Sequence, residues 1–426
     1  MTKAVRAADR PPPHHGDGRK PSRERMFVVG LIFLLLIISV IPWRSAMVYE
    51  GGIDSVVIAK ALVALITLGG AFLLWVHTTT KVPIGLGPAG ILFVILLVSL
   101  LASVVSGNVS ATLVLVIRVV MVMVTVLLLL SCVPWHIGLG SLMAAMGLIA
   151  IVAAVTGLPS LASEGRLGGG VPEIHPNELA GLAGPPLVAL VVLMLRTRVR
   201  PWSMSAAVVL LAILIASGSR TALLGVIVTI AVAVITNGIR NRGVVYLLLG
   251  GLPLAYAIAL FTGIVSDLAT RGGSTDTTSA LDSRFDAWKV VLGWDWASWE
   301  KWIGLGLSVK QVKVDIQWRD EQVLDSSWAS LLAQTGLLGT ALAAGLVAWC
   351  LIAALISSSR RGVLLPLLVL LVMRSVTESG LVDSAMPFIQ FLVIATLLTH
   401  RSRHADDPSA PHDLQRTPSV PRAAVT

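Results

Sequence analysis

Several short stretches of this chain carry side chains suited to an anionic phosphate or to a hydroxyl group. Arg220 follows Ser217-Gly218-Ser219 and precedes Thr221. An arginine at a helix start joins a planar fork of donors to the backbone N–H groups and the helix dipole, a combination that suits a phosphate. Ser219 stands where it can cap that helix. The competing reading is an arginine snorkelling to an ordinary interface. Arg118 and Arg374 lie inside apolar runs, and Glu378 follows Arg374 at i,i+4. Charges inside a membrane are costly and mark functional candidates, although Arg374 and Glu378 can also form a structural helix pair. His175-Pro176-Asn177-Glu178 opens another apolar run, with His175 and Asn177 as candidates to face a shared cavity or as parts of a capping motif. Arg284, flanked by Asp282 and Asp286, is a candidate charge or one half of a surface salt bridge. Asp325 and Ser326 stand at the head of a further apolar run. Asp325 can accept a hydrogen bond from a hydroxyl and orient it; the alternative is plain N-capping by either residue, worth roughly 1 kcal/mol.

What must position these groups is a set of apolar helices. The chain has 426 residues, 55% hydrophobic and 13% charged, whereas soluble domains carry about 25% charged residues. A membrane span needs roughly 20 apolar residues. On that criterion, helices are expected near 26–42, 55–76, 84–105, 111–132, 137–157, 178–195, 203–218, 220–236, 244–265, 327–356, 362–378 and 385–399, about twelve in all. The expected fold class is therefore all-α and polytopic.

The net charge of +9 does not indicate nucleic acid, because the basic residues gather in the tails and in alternate connections. With the basic N-terminus on the cytoplasmic side, the inner connections are 77–81, 134–136, 196–200, 240–242, 360–361 and the tail after 400; five of these six carry Lys or Arg. That is the positive-inside pattern, with both termini cytoplasmic and the chemistry-bearing stretches outside. The expected organisation is a disordered basic tail over 1–25, nine spans over 26–265, and an extracytoplasmic segment with amphipathic helices over 266–326. Three spans over 327–399 and a disordered tail over 400–426 complete it. The outer segment is long and mixed in charge. It also holds most of seven tryptophans between Trp288 and Trp328, of twelve in the chain, suited to an interfacial belt or to stacking on sugar rings. Cys132 and Cys350 are read as packing residues, since two cysteines do not make a disulfide framework. No metal-ligand cluster is visible.

Taken in order, these motifs resemble the O-antigen ligase and polymerase superfamily of bacterial envelope glycosyltransferases. The resemblance rests on His175-Pro176-Asn177-Glu178-Leu179-Ala180, Ser217-Gly218-Ser219-Arg220, and Ser283-Arg284 with Trp288 and Gly304-Leu305-Gly306. A fourth stretch is Asp325-Ser326, followed by Gly336-Leu337-Leu338-Gly339. The family pattern has a histidine where this chain has Asp325. The resemblance implies a glycan donor carried on a polyprenyl diphosphate and an acceptor hydroxyl on a glycan, glycolipid or protein. It implies transfer at the outer face of the cytoplasmic membrane with neither metal nor cofactor. It also implies that Arg220 and Arg284 hold the diphosphate, with Arg118 and Arg374 as additions, and that Asp325, or His175 in its place, serves the acceptor. Two other readings stay open: a polysaccharide polymerase of the same superfamily, and a non-enzymatic transporter of lipid-linked glycans. A transporter needs polar groups on both faces, and here they cluster outside.

Overall fold

A computed structural model of the chain describes residues 23–43, 55–197, 199–238, 286–316, 319–357 and 360–399. The span expected at 244–265, Arg284, and most of both expected tails lie outside the described residues. Helices occupy the other expected spans, with the short α6 and α10 lying between spans: α1 (Arg23–Val40), α2 (Ser55–His77), α3 (Gly87–Ser106), α4 (Val109–Cys132), α5 (Trp135–Thr156), α6 (Leu158–Glu164), α7 (Pro176–Arg196), α8 (Pro201–Ala216), α9 (Arg220–Asn237), α10 (Trp299–Ile303), α11 (Ser327–Ile356), α12 (Arg361–Thr377) and α13 (Met386–Thr399). Among the described residues, seven of these are long and apolar enough to cross a membrane: α2, α3, α4, α5, α7, α9 and α11. A helix satisfies its own backbone groups, which is what hydrocarbon demands of a spanning segment. With several such helices the protein is a multi-pass membrane protein.

Two expectations are corrected. The basic stretch to residue 25 is not wholly outside the bundle, because α1 is helical from Arg23. The all-α expectation also fails locally: the described part of the chain between α9 and α11 folds into helical turns over 286–292, the single-turn α10, and an antiparallel hairpin of β1 (Gln311–Ile316) and β2 (Arg319–Val323). The alternation Val312, Lys313, Val314 has the period of a strand. Its two valines are buried with Ala287, Val291, Leu324 and Leu332 in a small core outside the main bundle.

The main core is one continuous cluster. α1 packs on α2 and α5, α7 on α5, α8 and α9, α12 on α9 and α11, and α13 on α3, α4 and α12. Small residues let these helices approach, as in membrane bundles generally. A Cβ on Gly225 of α9 would lie 3.1 Å from Leu370 of α12. α2 is the opposite case: Leu62, Leu65 and Ile66 are exposed, as suits a helix facing lipid.

The two ends of the bundle are each tied across the chain. At one end, Ser327 N and Oγ donate to the Glu378 carbonyl, at 3.1 and 2.7 Å. Ser106 Oγ and Asn108 Nδ2 donate to the Leu305 carbonyl, at 2.8 and 3.0 Å. At the other end, Val82 N donates to the Ser131 carbonyl, and Asn237 Nδ2 donates to the Gly362 carbonyl at 2.9 Å. The described polar motifs thus share one end of the bundle, and the ties at Val82 and Asn237 lie at the other.

Candidate active site

The motif-bearing end is held together by three close approaches. In the first, α11 breaks at Gly336, where φ is +60°. Gly304-Leu305-Gly306 lies in that break: Leu305 N donates to the Ala333 carbonyl at 2.8 Å and Gly306 N to the Gln334 carbonyl at 3.0 Å. Any Cβ at Gly336 would fall 2.2 Å from the Trp302 carbonyl carbon. The two glycine motifs are thus one backbone-to-backbone joint, which docks the stretch around α10 onto the bundle.

In the second, Arg166 bridges two motifs, with Nε donating to the Ser217 carbonyl and Nη2 to Asn177 Oδ1, both at 3.1 Å. In the third, Arg374 Nη2 donates to the Asn177 carbonyl at 3.1 Å. The Arg374 guanidinium crosses α7 at Gly181, where a Cβ would lie 2.2 Å from Nη1. Asn177 is therefore engaged on both its side chain and its backbone.

Beside these joints lies a cavity of about 300 Å³. Helix periodicity explains its lining. From α7 it takes Glu178, Gly181 and Leu182; from α12, Leu371 and Arg374, with Glu378 just beyond; from α4, Leu115 and Arg118; from α2, Val56, Val57 and Lys60. Lys310 enters from just before β1 and Asp383 from the α12–α13 connection, and Val40 to Trp43 form an apolar wall. Four cations and three carboxylates thus share one space with an apolar side.

The charges form two groups. Lys310 Nζ is ion-paired and hydrogen-bonded to Asp383 Oδ2, and Asp383 Oδ1 accepts from Ser384 N at 2.7 Å. Burial alone would push the Asp383 carboxyl up. Lys310, the Ser384 N–H and the more distant Arg118 outweigh that and hold it below its ordinary value. In the second group, Arg374 sits within the fields of Glu378 and Glu178, and Glu178 also feels Lys60. Arg374 Nε is buried with no hydrogen-bond partner among the described residues.

The sequence candidates divide accordingly. Arg118, Arg374 and Glu378 line the cavity. His175 is the N-cap of α7, its Nδ1 accepting from Asn177 N at 3.3 Å. Ser219 and Ser326 occupy N-cap positions of α9 and α11, but neither side chain makes a capping hydrogen bond. Arg220 is exposed at the start of α9 and does not line the cavity, nor does Asp325, which is half-buried. Lys60, Glu178, Lys310 and Asp383 are the groups that sequence reasoning did not single out. The available signal was their place: each is an ionisable residue at the motif-bearing end. The two cysteines are buried and unpaired, as packing residues are.

No curated protein matches this sequence. Residues 205–344, which hold α8, α9 and the break in α11, match the family model described as O-antigen ligase, in keeping with the O-antigen ligase and polymerase superfamily that the motifs resemble.

Proposed function

We propose that this protein is a membrane glycosyltransferase that moves a glycan from a polyprenyl-diphosphate lipid to an acceptor hydroxyl. The observation that carries this reading is the composition of the cavity. Lys60, Arg118, Lys310 and Arg374 converge beside an apolar wall from Val40 to Trp43, as a diphosphate with a hydrocarbon tail requires. The Arg374 Nε, which lacks a partner among the described residues, is a donor for such an oxygen. A diphosphate is already a good leaving group. The site's work is to neutralise the charge that grows on it, to orient the sugar, and to take the acceptor's proton.

In this reading Arg118 and Arg374 bind the diphosphate from α4 and α12, and Glu378 holds Arg374 in place. Arg220 and Arg284 are the further diphosphate ligands that the family resemblance implies. Asn177 positions Arg374 through its carbonyl, with His175 fixing the turn that presents it. Ser219, Ser326 and Asp325 belong to the acceptor side, where Asp325 orients a glycan, glycolipid or protein hydroxyl. The chain needs no metal or cofactor for this step and has no role on nucleic acid. It lies in the cytoplasmic membrane with both termini cytoplasmic and the 266–326 segment outside.

The decisive experiment is an assay of purified protein with a lipid-linked oligosaccharide, following release of glycan from the lipid. Release that depends on an added acceptor supports a ligase. Chain extension on the donor itself indicates the polymerase of the same superfamily. Movement of intact donor between leaflets without release would replace both readings with a transporter. Orientation is tested with Lys313→Cys, an exposed position on β1. A membrane-impermeant thiol reagent should label it in intact cells once any outer membrane is permeabilised, and labelling only after the inner membrane is broken would invert the topology.

A further inference from the structure

The transfer requires a group that removes the acceptor's proton, and two sequence candidates for that task are placed elsewhere. His175 uses Nδ1 to cap α7, and Asp325 does not line the cavity. Three carboxylates do line it. Asp383 is occupied by Lys310 and by the Ser384 N–H. Glu378 belongs to the chain turn whose carbonyl receives both donors of Ser327. Glu178 differs from both. It shares one face of α7 with Gly181 and Leu182, opens into the cavity, and accepts no side-chain hydrogen bond among the described residues. It lies one residue after Asn177, whose carbonyl receives Arg374, so the same turn fixes the carboxylate and the cation that faces the donor.

We propose that Glu178 is the general base of the transfer, a role that rests on the glycosyltransferase reading above. The acceptor hydroxyl gives its proton to a Glu178 carboxylate oxygen while its own oxygen forms the new bond to the anomeric carbon. The bond from that carbon to the diphosphate oxygen breaks, and its electron pair leaves with the diphosphate, which Arg374 and Arg118 neutralise. Protonated Glu178 then returns the proton to water, which restores the site. Lys60 and Arg374 face the carboxylate from α2 and α12, while Glu378 completes the charge around Arg374. One cavity thus carries both the donor's cations and the acceptor's base.

The test uses the full-length protein in detergent or nanodiscs, with single-turnover transfer from a polyprenyl-diphosphate oligosaccharide and separate binding of glycan-free polyprenyl diphosphate. Glu178→Gln preserves shape and removes the base. The transfer rate should fall about 100-fold or more, the usual worth of a positioned base, far more than any change in binding of the diphosphate lipid. Glu178→Ala should lose the same activity and regain part of it with added formate, a small carboxylate that a merely structural role would not reward. Wild-type turnover in Glu178→Gln, or a rate loss matched by an equal loss of lipid binding with no formate rescue, overturns the proposal. Failure of the wild-type protein to release any glycan from the lipid would instead overturn the function on which it rests.

Discussion

Arginines stand at both ends of this bundle, and the two ends use them differently. At the end with the basic connections, Arg196 Nε donates to Asn237 Oδ1 at 2.6 Å, and Asn237 passes the contact on to the Gly362 carbonyl. Arg360 donates to the Leu397 carbonyl and lies over the Trp135 ring. Lys81 is held 3.2 Å from the centre of the Trp75 ring. These cations meet carbonyls, an amide and aromatic faces, and they join helix to helix. Cations near helix C-termini also complement the dipole. At the other end, Arg118, Arg374, Lys60 and Lys310 border a cavity and are balanced by carboxylates. Arg374 is also anchored by a carbonyl, and one of its nitrogens has no partner among the described residues. Charges that finish a fold are consumed by it; charges arranged around a space are kept for something that enters.

The comparison is broken most directly by exchanging arginine for lysine at each end. Arg374→Lys keeps the charge but loses the fork that spans the Asn177 carbonyl and the cavity. Glycan release should fall by about 100-fold, as when one preorganised donor is lost from a transition state. Arg196→Lys at the far end should leave release within about twofold of wild type, because exposed polar contacts contribute little. Equal losses at both ends, at equal protein levels, would mean that the ends differ only in geometry and not in use.

A smaller loss is expected from Gly181→Ala, which touches no charge. The new methyl would meet the Arg374 guanidinium at 2.2 Å, so the side chain must leave its path across α7. Overpacking of this kind costs about 1–3 kcal/mol, and here it should appear mainly as lost activity, roughly tenfold at 1.4 kcal/mol. Gly184→Ala one turn further along is the control, since its Cβ would sit in ordinary contact, 3.4 Å from Val226. Similar activity in both alanine variants would remove the Arg374 path from the argument.

The sequence made one half of this comparison easier to read than the other. Spans and alternation follow from hydropathy and from the placement of Lys and Arg, which need no tertiary information. Motifs at helix heads, such as Pro176 and Ser219, were legible for the same reason. The cavity was not. Lys310 and Asp383 are 73 residues apart in sequence and meet because a hairpin and a short connection fold over the same helix ends. Glu178 looked like part of a capping motif, and only the face it shares with Gly181 shows that it opens into the cavity. The hairpin did carry its own signal in Val312 and Val314, but the tryptophans around it pointed to helices at an interface. Asp325 was weighed as a site residue because of where its motif stands in the chain, which says nothing about which way the side chain turns.

The Lys310–Asp383 pair gives a milder test, on stability and not on chemistry. The Asp383 carboxyl sits outside the spans and is held below its ordinary value. Its contribution is therefore present above the carboxyl's unfolded value and is lost as pH falls through the lower folded one. The thermal midpoint of wild type should exceed that of Asp383→Asn at neutral pH by a roughly constant margin. That margin should persist into the acid range where free aspartates begin to protonate, and close below it. A margin that grows on acidification would contradict the pairing, since protonation can only weaken it.

The smallest effect is expected at Asp325, where this chain departs from the family's histidine. Asp325 precedes α11 and lies next to Ser326 at the N-cap position. A carboxylate there is able to accept a hydrogen bond, which suits orienting a hydroxyl. Asp325→Asn retains an acceptor and the ability to cap, so transfer should stay within roughly fivefold of wild type if orientation is the role, a change of about 1 kcal/mol. Asp325→His restores the family residue and should be tolerated to a similar degree. Asp325→Ala removes the acceptor and should cost more than either, with the loss appearing in the dependence on acceptor concentration and not in binding of the lipid donor. Wild-type turnover in Asp325→Ala at normal protein levels would leave Asp325 no part in acceptor chemistry. A collapse in Asp325→Asn comparable to that of Arg374→Lys would show that its negative charge is required, and would move the base from Glu178 to the head of α11.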